Sequence, residues 1–157
     1  MNVTVIAMGK LKESYFREAC AEYQKRLTAY AGVTVKEPPP VDLPSDPSPA
    51  QIEQALEKEA ALIRGQARGY KVALCVEGKP ISSEELARKL ETLGNSGVSA
   101  VSFIVGSSFG LAESLKRECD LRLSMSAMTF PHSLARVMLF EQVYRAFAIL
   151  NNSKYHK

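Results

Sequence analysis

Short apolar runs alternate along this chain with stretches whose apolar positions are spaced by three and four. Val3–Met8 is a short β-branched run and reads as a strand. After Gly9 a helix of about 18 residues is expected: Phe16, Ala19/Cys20, Tyr23 and Leu27 recur at helical spacing, and Gly32 stops it. Val33–Glu37 reads as a second strand. Pro38–Pro49 holds six of the eight prolines, which neither a helix nor an interior strand can absorb, so a loop or a mobile arm over the surface is expected there. Ser48-Pro49-Ala50-Gln51 supplies an N-cap, a proline at the first helical position and a capping-box glutamine. The helix it opens carries Ile52, Leu56, Glu59 and Ile63 on nearby faces. Lys71–Glu77 is almost continuously apolar, as a strand covered on both sides would be, and Gly78-Lys79-Pro80 is expected to turn out of it. Ser82 and Glu85 form a second capping box, for a helix over Glu84–Leu93. Ser99–Val105 is a fourth strand, Leu111–Cys119 a short helix and Leu121–Met125 a fifth strand. Ser133–Leu150 is a last helix with Val137, Phe140, Tyr144 and Phe147 in one stripe. Strict strand–helix alternation predicts an α/β fold, a mostly parallel sheet with helices on both faces. Its ligand should then lie beyond the carboxyl ends of the strands, around Leu74–Gly78, Val105–Gly110 and Met125–Phe130.

Composition narrows the class without naming it. The 157 residues, 46% hydrophobic and 24% charged, suit one soluble domain with a proper core. No apolar run approaches the roughly 20 residues that span a bilayer, so no membrane partner is expected. The start MNVTVIAMGK lacks a positive leader and a small-residue cleavage site, and reads as strand rather than signal. Cys20, Cys75 and Cys119 are odd in number and far apart, which predicts buried, reduced thiols in a cytoplasmic protein. Two histidines and no CxxC or HxxxH spacing argue against a metal site. The net charge of +3 is unevenly placed. Residues 1–110 balance 13 basic against 13 acidic side chains, whereas residues 111–157 carry 7 basic and 4 acidic. That excess fits a nucleic-acid partner, or simply helix ends dressed with cations.

The candidate chemistry lies in the same C-terminal third. Gly106-Ser-Ser-Phe-Gly110 leaves a strand but is neither GxGxxG nor a P-loop, and taken alone it is equally a plain turn. Ser124–Phe130 alternates small and apolar residues with no charge. Such a loop offers backbone groups in an apolar setting, suiting an adenine ring and a thioether better than a triphosphate; the alternative is a strand end that packs its methionines in the core. His132 either caps the last helix or acts chemically, and Arg145 beside the apolar stripe is by default a surface salt bridge. The ending Asn151–Lys157 would ordinarily fray, yet its tyrosine, histidine and two lysines could stack on a base and neutralise phosphate.

Together these residues resemble a known family. VTVIAMGKLK at Val3–Lys12, VALCVEGKPISSEELA at Val72–Ala87, IVGSSFGL at Ile104–Leu111, LSMSAMTFPHSLARVMLFEQVYRAF at Leu123–Phe147 and the final YHK are similar to the bacterial ribosomal RNA large-subunit pseudouridine N3-methyltransferases of the SPOUT superfamily. The resemblance spans the whole chain. It implies a single domain over 1–157 with a C-terminal trefoil knot at about 72–157, an S-adenosylmethionine cofactor and a homodimer whose subunits share each active site. It implies 23S rRNA in the assembled ribosome as substrate, with transfer RNA as the alternative within the fold and a non-catalytic ribosome-associated factor as the alternative outside catalysis. By position it assigns the cofactor to Leu74, Gly106, Met125, Ser126, Ala127, Met128, Thr129 and Phe130, and RNA binding and catalysis to His132, Arg145, Tyr155 and His156. Within that reading Arg145 stabilises the imide, His156 removes its proton and Tyr155 stacks on the base. One position departs: the family commonly has two glycines after the fourth strand, and here Gly106 is followed by Ser107. A serine held at positive φ there would cost about 1 kcal/mol.

Overall fold

A computed structural model describes residues Met1–Lys157. Its elements run β1 (Asn2–Ala7), α1 (Ser14–Leu27), β2 (Gly32–Lys36), α2 (Pro49–Gln66), β3 (Tyr70–Pro80), α3 (Ser83–Asn95), β4 (Ala100–Val105), α4 (Glu113–Glu118), β5 (Leu121–Ser124) and α5 (His132–Leu150). The strands form one sheet in the order β2-β1-β4-β3-β5, with every neighbouring pair parallel. The two-residue period of the strands divides the core. Val3, Val5, Phe103 and Val105 pack on one face against α1, α3 and α5. Ile6, Ala73 and Ile104 pack on the other against α2 and α4. Both faces are covered, which explains why the strands read as continuous apolar runs.

Both capping boxes form as the spacing predicts: Ser48 Oγ accepts from the Gln51 N–H, and Ser82 Oγ from the Glu85 N–H. The proline-rich stretch is indeed loop, and it is pinned. Pro38 O accepts from the Gly9 N–H at 2.8 Å, and the Val41 N–H donates to Glu59 Oε1 at 3.1 Å. Glu59 is only 4% exposed and its other oxygen accepts from Ser107 Oγ at 3.0 Å, so one buried carboxylate ties α2 to two loops.

Two expectations fail for tertiary reasons. The first helix has 14 residues instead of about 18 and begins at Ser14, because the turn before it is held by one side chain of α5 and one of α1 itself. Arg136 donates to Gly9 O at 2.8 Å, and Arg17 to the Leu11 and Lys12 carbonyls at 3.1 and 2.5 Å. Gly78-Lys79-Pro80 is not a turn out of the third strand. Leu74 and Lys79 both oppose Leu123, so the chain bulges out over 75–78 and rejoins β5 at Lys79 and Pro80. Gly78 crosses β5 so closely that a Cβ there would lie 2.8 Å from the Arg122 and Leu123 backbone.

Arg136 shows what charge counting misses. It stands among the excess cations of the C-terminal third, yet it is 2% exposed inside the sheet–helix interface. Its Nη1 donates to Glu37 Oε2 at 2.7 Å and its Nη2 to the Met8 and Gly9 carbonyls, while its Nε has no partner. Replacing Arg136 by Met should cost about 3 kcal/mol, the lower end for breaking a buried pair, because Glu37 stays partly hydrated. Urea denaturation checks this: a lowered midpoint at unchanged slope is expected, and a loss under about 1 kcal/mol would show the pair to be dispensable.

Candidate functional site

A cavity of about 740 Å³ opens beyond the carboxyl ends of β3, β4 and β5. Leu74 stands where β3 begins to bulge, Gly106 where β4 ends, and the segment after β5 closes the third side. Leu74, Gly106, Met125, Ser126, Met128, Thr129 and Phe130 line it, and His132 joins them. Ala127 is exposed and does not reach the wall. The 125–130 segment is not a buried strand end: β5 stops at Ser124, and Met128 is 73% exposed. Among the backbone amides from Met125 to Phe130, only that of Met128 finds an acceptor within the chain, Ser126 Oγ at 3.0 Å. The loop therefore carries unpaired backbone donors on a segment that lines the cavity.

Gly106 keeps the opposite wall thin. A Cβ on it would sit 2.3 Å from Gly110 O, inside the turn that the Gly110 N–H closes on Ser107 O at 2.9 Å. Ser107 does not take the positive φ that its place after Gly106 raised as an expectation; Asn152 is the one non-glycine residue that does. The strain is absent, and the serine hydroxyl is spent on Glu59 instead. At the rim Lys116 pairs with Glu77 and, at 3.2 Å, with Glu113. The Lys116 ammonium beside it holds the Glu77 carboxyl below the usual range. Neither residue stood out in the sequence, since their pairing spans β3 and α4.

The cysteines are free. Cys20 is buried and its thiol is pushed up to about 11 by that burial, while Cys75 and Cys119 are half-buried rather than fully inside. Burial raises both of those thiols as well, so none is a ready nucleophile.

A second cluster forms at the far end of α5. His132 does not cap this helix: Pro131 is the N-cap residue and no side chain bonds there. Arg145 lies 13 residues further on, about 20 Å along the axis. The tail that follows is docked rather than frayed. Asn152 adopts φ 53°, the Asn152 N–H bonds Ile149 O at 3.1 Å and the Ser153 N–H bonds Ala148 O at 2.9 Å, a Schellman turn that reverses the chain. Tyr155 then returns to α5. Its hydroxyl donates to Glu141 Oε1 at 3.0 Å, its ring packs 4.7 Å from Tyr144, and the Arg145 guanidinium lies 4.6 Å over its face. Burial and the Glu141 carboxylate push the Tyr155 phenol well up.

Arg145 is gripped by Glu141, whose Oε1 accepts from Nε at 2.9 Å and from Nη2. Its Nη1 is left for His156 Nδ1 at 3.3 Å, while His156 Nε2 meets Glu84 Oε1 at 2.8 Å. Glu84 opens α3, where its own backbone N–H and then the His156 ring hold its carboxyl low. So Arg145, Tyr155 and His156 come together, and His132 does not join them. The i, i+4 spacing of Glu141 and Arg145 was readable as a helix pair. Nothing in the sequence pointed to Glu84, because it arrives on another element. A smaller cavity of about 650 Å³, lined by Tyr23, Glu84 and Glu141 among others, borders the cluster and shares Leu123, Met125 and Met138 with the larger one.

Fold and site define an α/β protein whose ligand cavity lies beyond the carboxyl ends of a parallel sheet. A "Probable Methyltransferase" from Bordetella pertussis Tohama I shares the fold, at a TM-score of 0.54 and 16% identity over 93% of this chain and 96% of that one. The chain belongs to the SPOUT methyltransferase family, whose model, described as "Predicted SPOUT methyltransferase", matches residues 1–156. Its relatives include ribosomal RNA large subunit methyltransferases H from Listeria monocytogenes, 43% identical, and Leuconostoc mesenteroides, 42% identical, each over 100% of both chains.

Proposed function

We propose that this chain transfers a methyl group from S-adenosylmethionine to N3 of a pseudouridine in 23S rRNA of the assembled ribosome, as a homodimer. The observation that carries the reading is the 125–130 loop: unpaired amides over an apolar cavity, faced by a turn in which a Cβ at Gly106 would collide. The residues fit the cofactor. Amides of the loop suit the edge of an adenine ring, Leu74, Met125 and Phe130 suit its faces, and no phosphate-binding loop is present to favour a nucleotide di- or triphosphate. When bound, S-adenosylmethionine supplies an electrophilic methyl group whose departure needs no metal. The relatives named above support ribosomal RNA as the substrate class.

The chain's own part is to exclude water, orient the imide and take its proton. Arg145 donates a charge-assisted hydrogen bond to a carbonyl flanking N3 as negative charge develops, Tyr155 stacks on the base and His156 accepts the proton. His132, at the cavity wall, contacts the RNA near the methyl donor. The separation along α5 supports a shared site: the Arg145 cluster of one copy would serve the cavity of the other. The family fold further implies that the segment after β5 threads a loop, and the close crossing at Gly78 is consistent with that path.

The reading is tested by methyl transfer to ribosomes from cells lacking the modification, followed by nucleoside mass spectrometry. A cofactor-dependent methylated pseudouridine is expected. Methylation of transfer RNA instead would replace the substrate, and failure to bind S-adenosylmethionine would sink the enzyme reading.

A further inference from the structure

Both ring nitrogens of His156 are engaged, and only one arrangement satisfies both contacts. Arg145 Nη1 can only donate, so Nδ1, 3.3 Å away, must accept and carries the lone pair. Nε2, 2.8 Å from Glu84 Oε1, must then carry the hydrogen. The neutral Nε2–H tautomer meets both demands. An imidazolium would set its Nδ1–H against the Arg145 N–H, and the other neutral tautomer would set two lone pairs against each other at Glu84. Glu141 meanwhile occupies Nε and Nη2 of Arg145, leaving Nη1 as the guanidinium nitrogen that turns to the ring.

We propose that Glu84 is a positioning residue that fixes this tautomer, so that Arg145 Nη1 and His156 Nδ1 stand side by side as one donor and one acceptor for the edge of the target base. The proposal rests on the function proposed above and specifies how that site recognises its base. An imide presents a carbonyl acceptor next to an N3–H donor, the complement of this pair. Cytosine presents an acceptor at N3 instead of a donor, and would leave two acceptors facing each other. On binding, the Nη1 hydrogen bond passes from Nδ1 to the carbonyl oxygen, which frees the Nδ1 lone pair. The N3–H bond then breaks with its electrons staying on N3, and the proton joins Nδ1. The ring becomes an imidazolium whose Nε2–H already faces the Glu84 carboxylate, and it later returns the proton to water. The charged groups that meet the ring are Glu84 from α3 and Arg145 from α5, and behind Arg145 stand Glu141 and Tyr155.

The test is imidazole ¹⁵N–¹H spectroscopy of the full-length protein, with His156 assigned by comparison with a His132→Gln variant. A hydrogen-bonded Nε2–H of His156, protected from exchange, is expected in the parent chain. It should persist in Glu84→Gln, whose amide oxygen still accepts, and vanish in Glu84→Ala. Turnover on ribosomes should fall about tenfold or more in Glu84→Ala with KM for the RNA little changed, and recover in part in Glu84→Gln. An Nδ1–H tautomer in the parent chain, or turnover in Glu84→Ala equal to that of the parent, would overturn the proposal. Absence of methyl transfer by the parent chain would instead sink the function reading, since the ring spectra report on the Glu84 pairing whether or not RNA is the substrate.

Discussion

Arg145→Ala is expected to reduce turnover about a hundred- to a thousandfold while S-adenosylmethionine binds as before. The reason is geometric. Glu141 holds Nε and Nη2, so the guanidinium is oriented before substrate arrives and needs no reorganisation as negative charge grows on the imide. Removing one preorganised donor of this kind typically costs that much in rate. The 740 Å³ cavity proposed for the cofactor does not include Arg145 among its walls, so binding of the methyl donor should be insensitive to the change. Arg145→Lys should not restore activity. A single ammonium cannot bond Glu141 through two nitrogens and still present a third. Single-turnover methylation and calorimetric binding of S-adenosylmethionine decide the matter together. Turnover within about threefold of the parent would remove Arg145 from the mechanism.

The second large effect is expected at Gly106. Valine there would drive its Cβ to within 2.3 Å of Gly110 O and 2.5 Å of the Gly110 carbonyl carbon, and backbone cannot move aside as a flexible side chain can. Overpacking of this size costs about 1–3 kcal/mol, and here it falls on the cavity wall, so affinity for S-adenosylmethionine should drop about a hundredfold. Assayed at an S-adenosylmethionine concentration that saturates the parent but not Gly106→Val, the two variants also test the shared site. Co-expressed Arg145→Ala and Gly106→Val chains should regain about a quarter of the parent activity, because half of randomly paired dimers contain one intact cavity facing one intact cluster. If each copy works alone, the mixture stays inactive.

Much of this protein was legible locally. The Ser48/Gln51 and Ser82/Glu85 capping boxes, the apolar runs of β1 and β4 and the prolines of 38–49 each act within a few residues. Short-range sterics and hydrogen bonding decide them, so the elements and the parallel α/β class followed from order alone. The position of the cavity was also readable, since an open parallel sheet leaves its crevice at the carboxyl ends of its strands. What failed to show in the sequence depends on partners far apart in the chain. The β3 bulge exists because β5 crosses at Gly78, and the late start of α1 because Arg136 and Arg17 take the carbonyls ahead of it. No composition count distinguishes a buried Arg136 from a solvated one; Glu37, 99 residues away, makes the difference.

The division within the functional residues follows the same rule. The sequence by itself determined which side chains could do chemistry, because an arginine, a histidine and a tyrosine keep their donor and acceptor character wherever they sit. The tertiary structure alone decided their company. A Schellman turn at Asn152 folds the tail back, α3 brings Glu84 to His156, and the length of α5 holds that cluster about 20 Å from the His132 wall. Identity is carried by each residue, whereas orientation, tautomer and separation are set by whatever the rest of the chain packs against it.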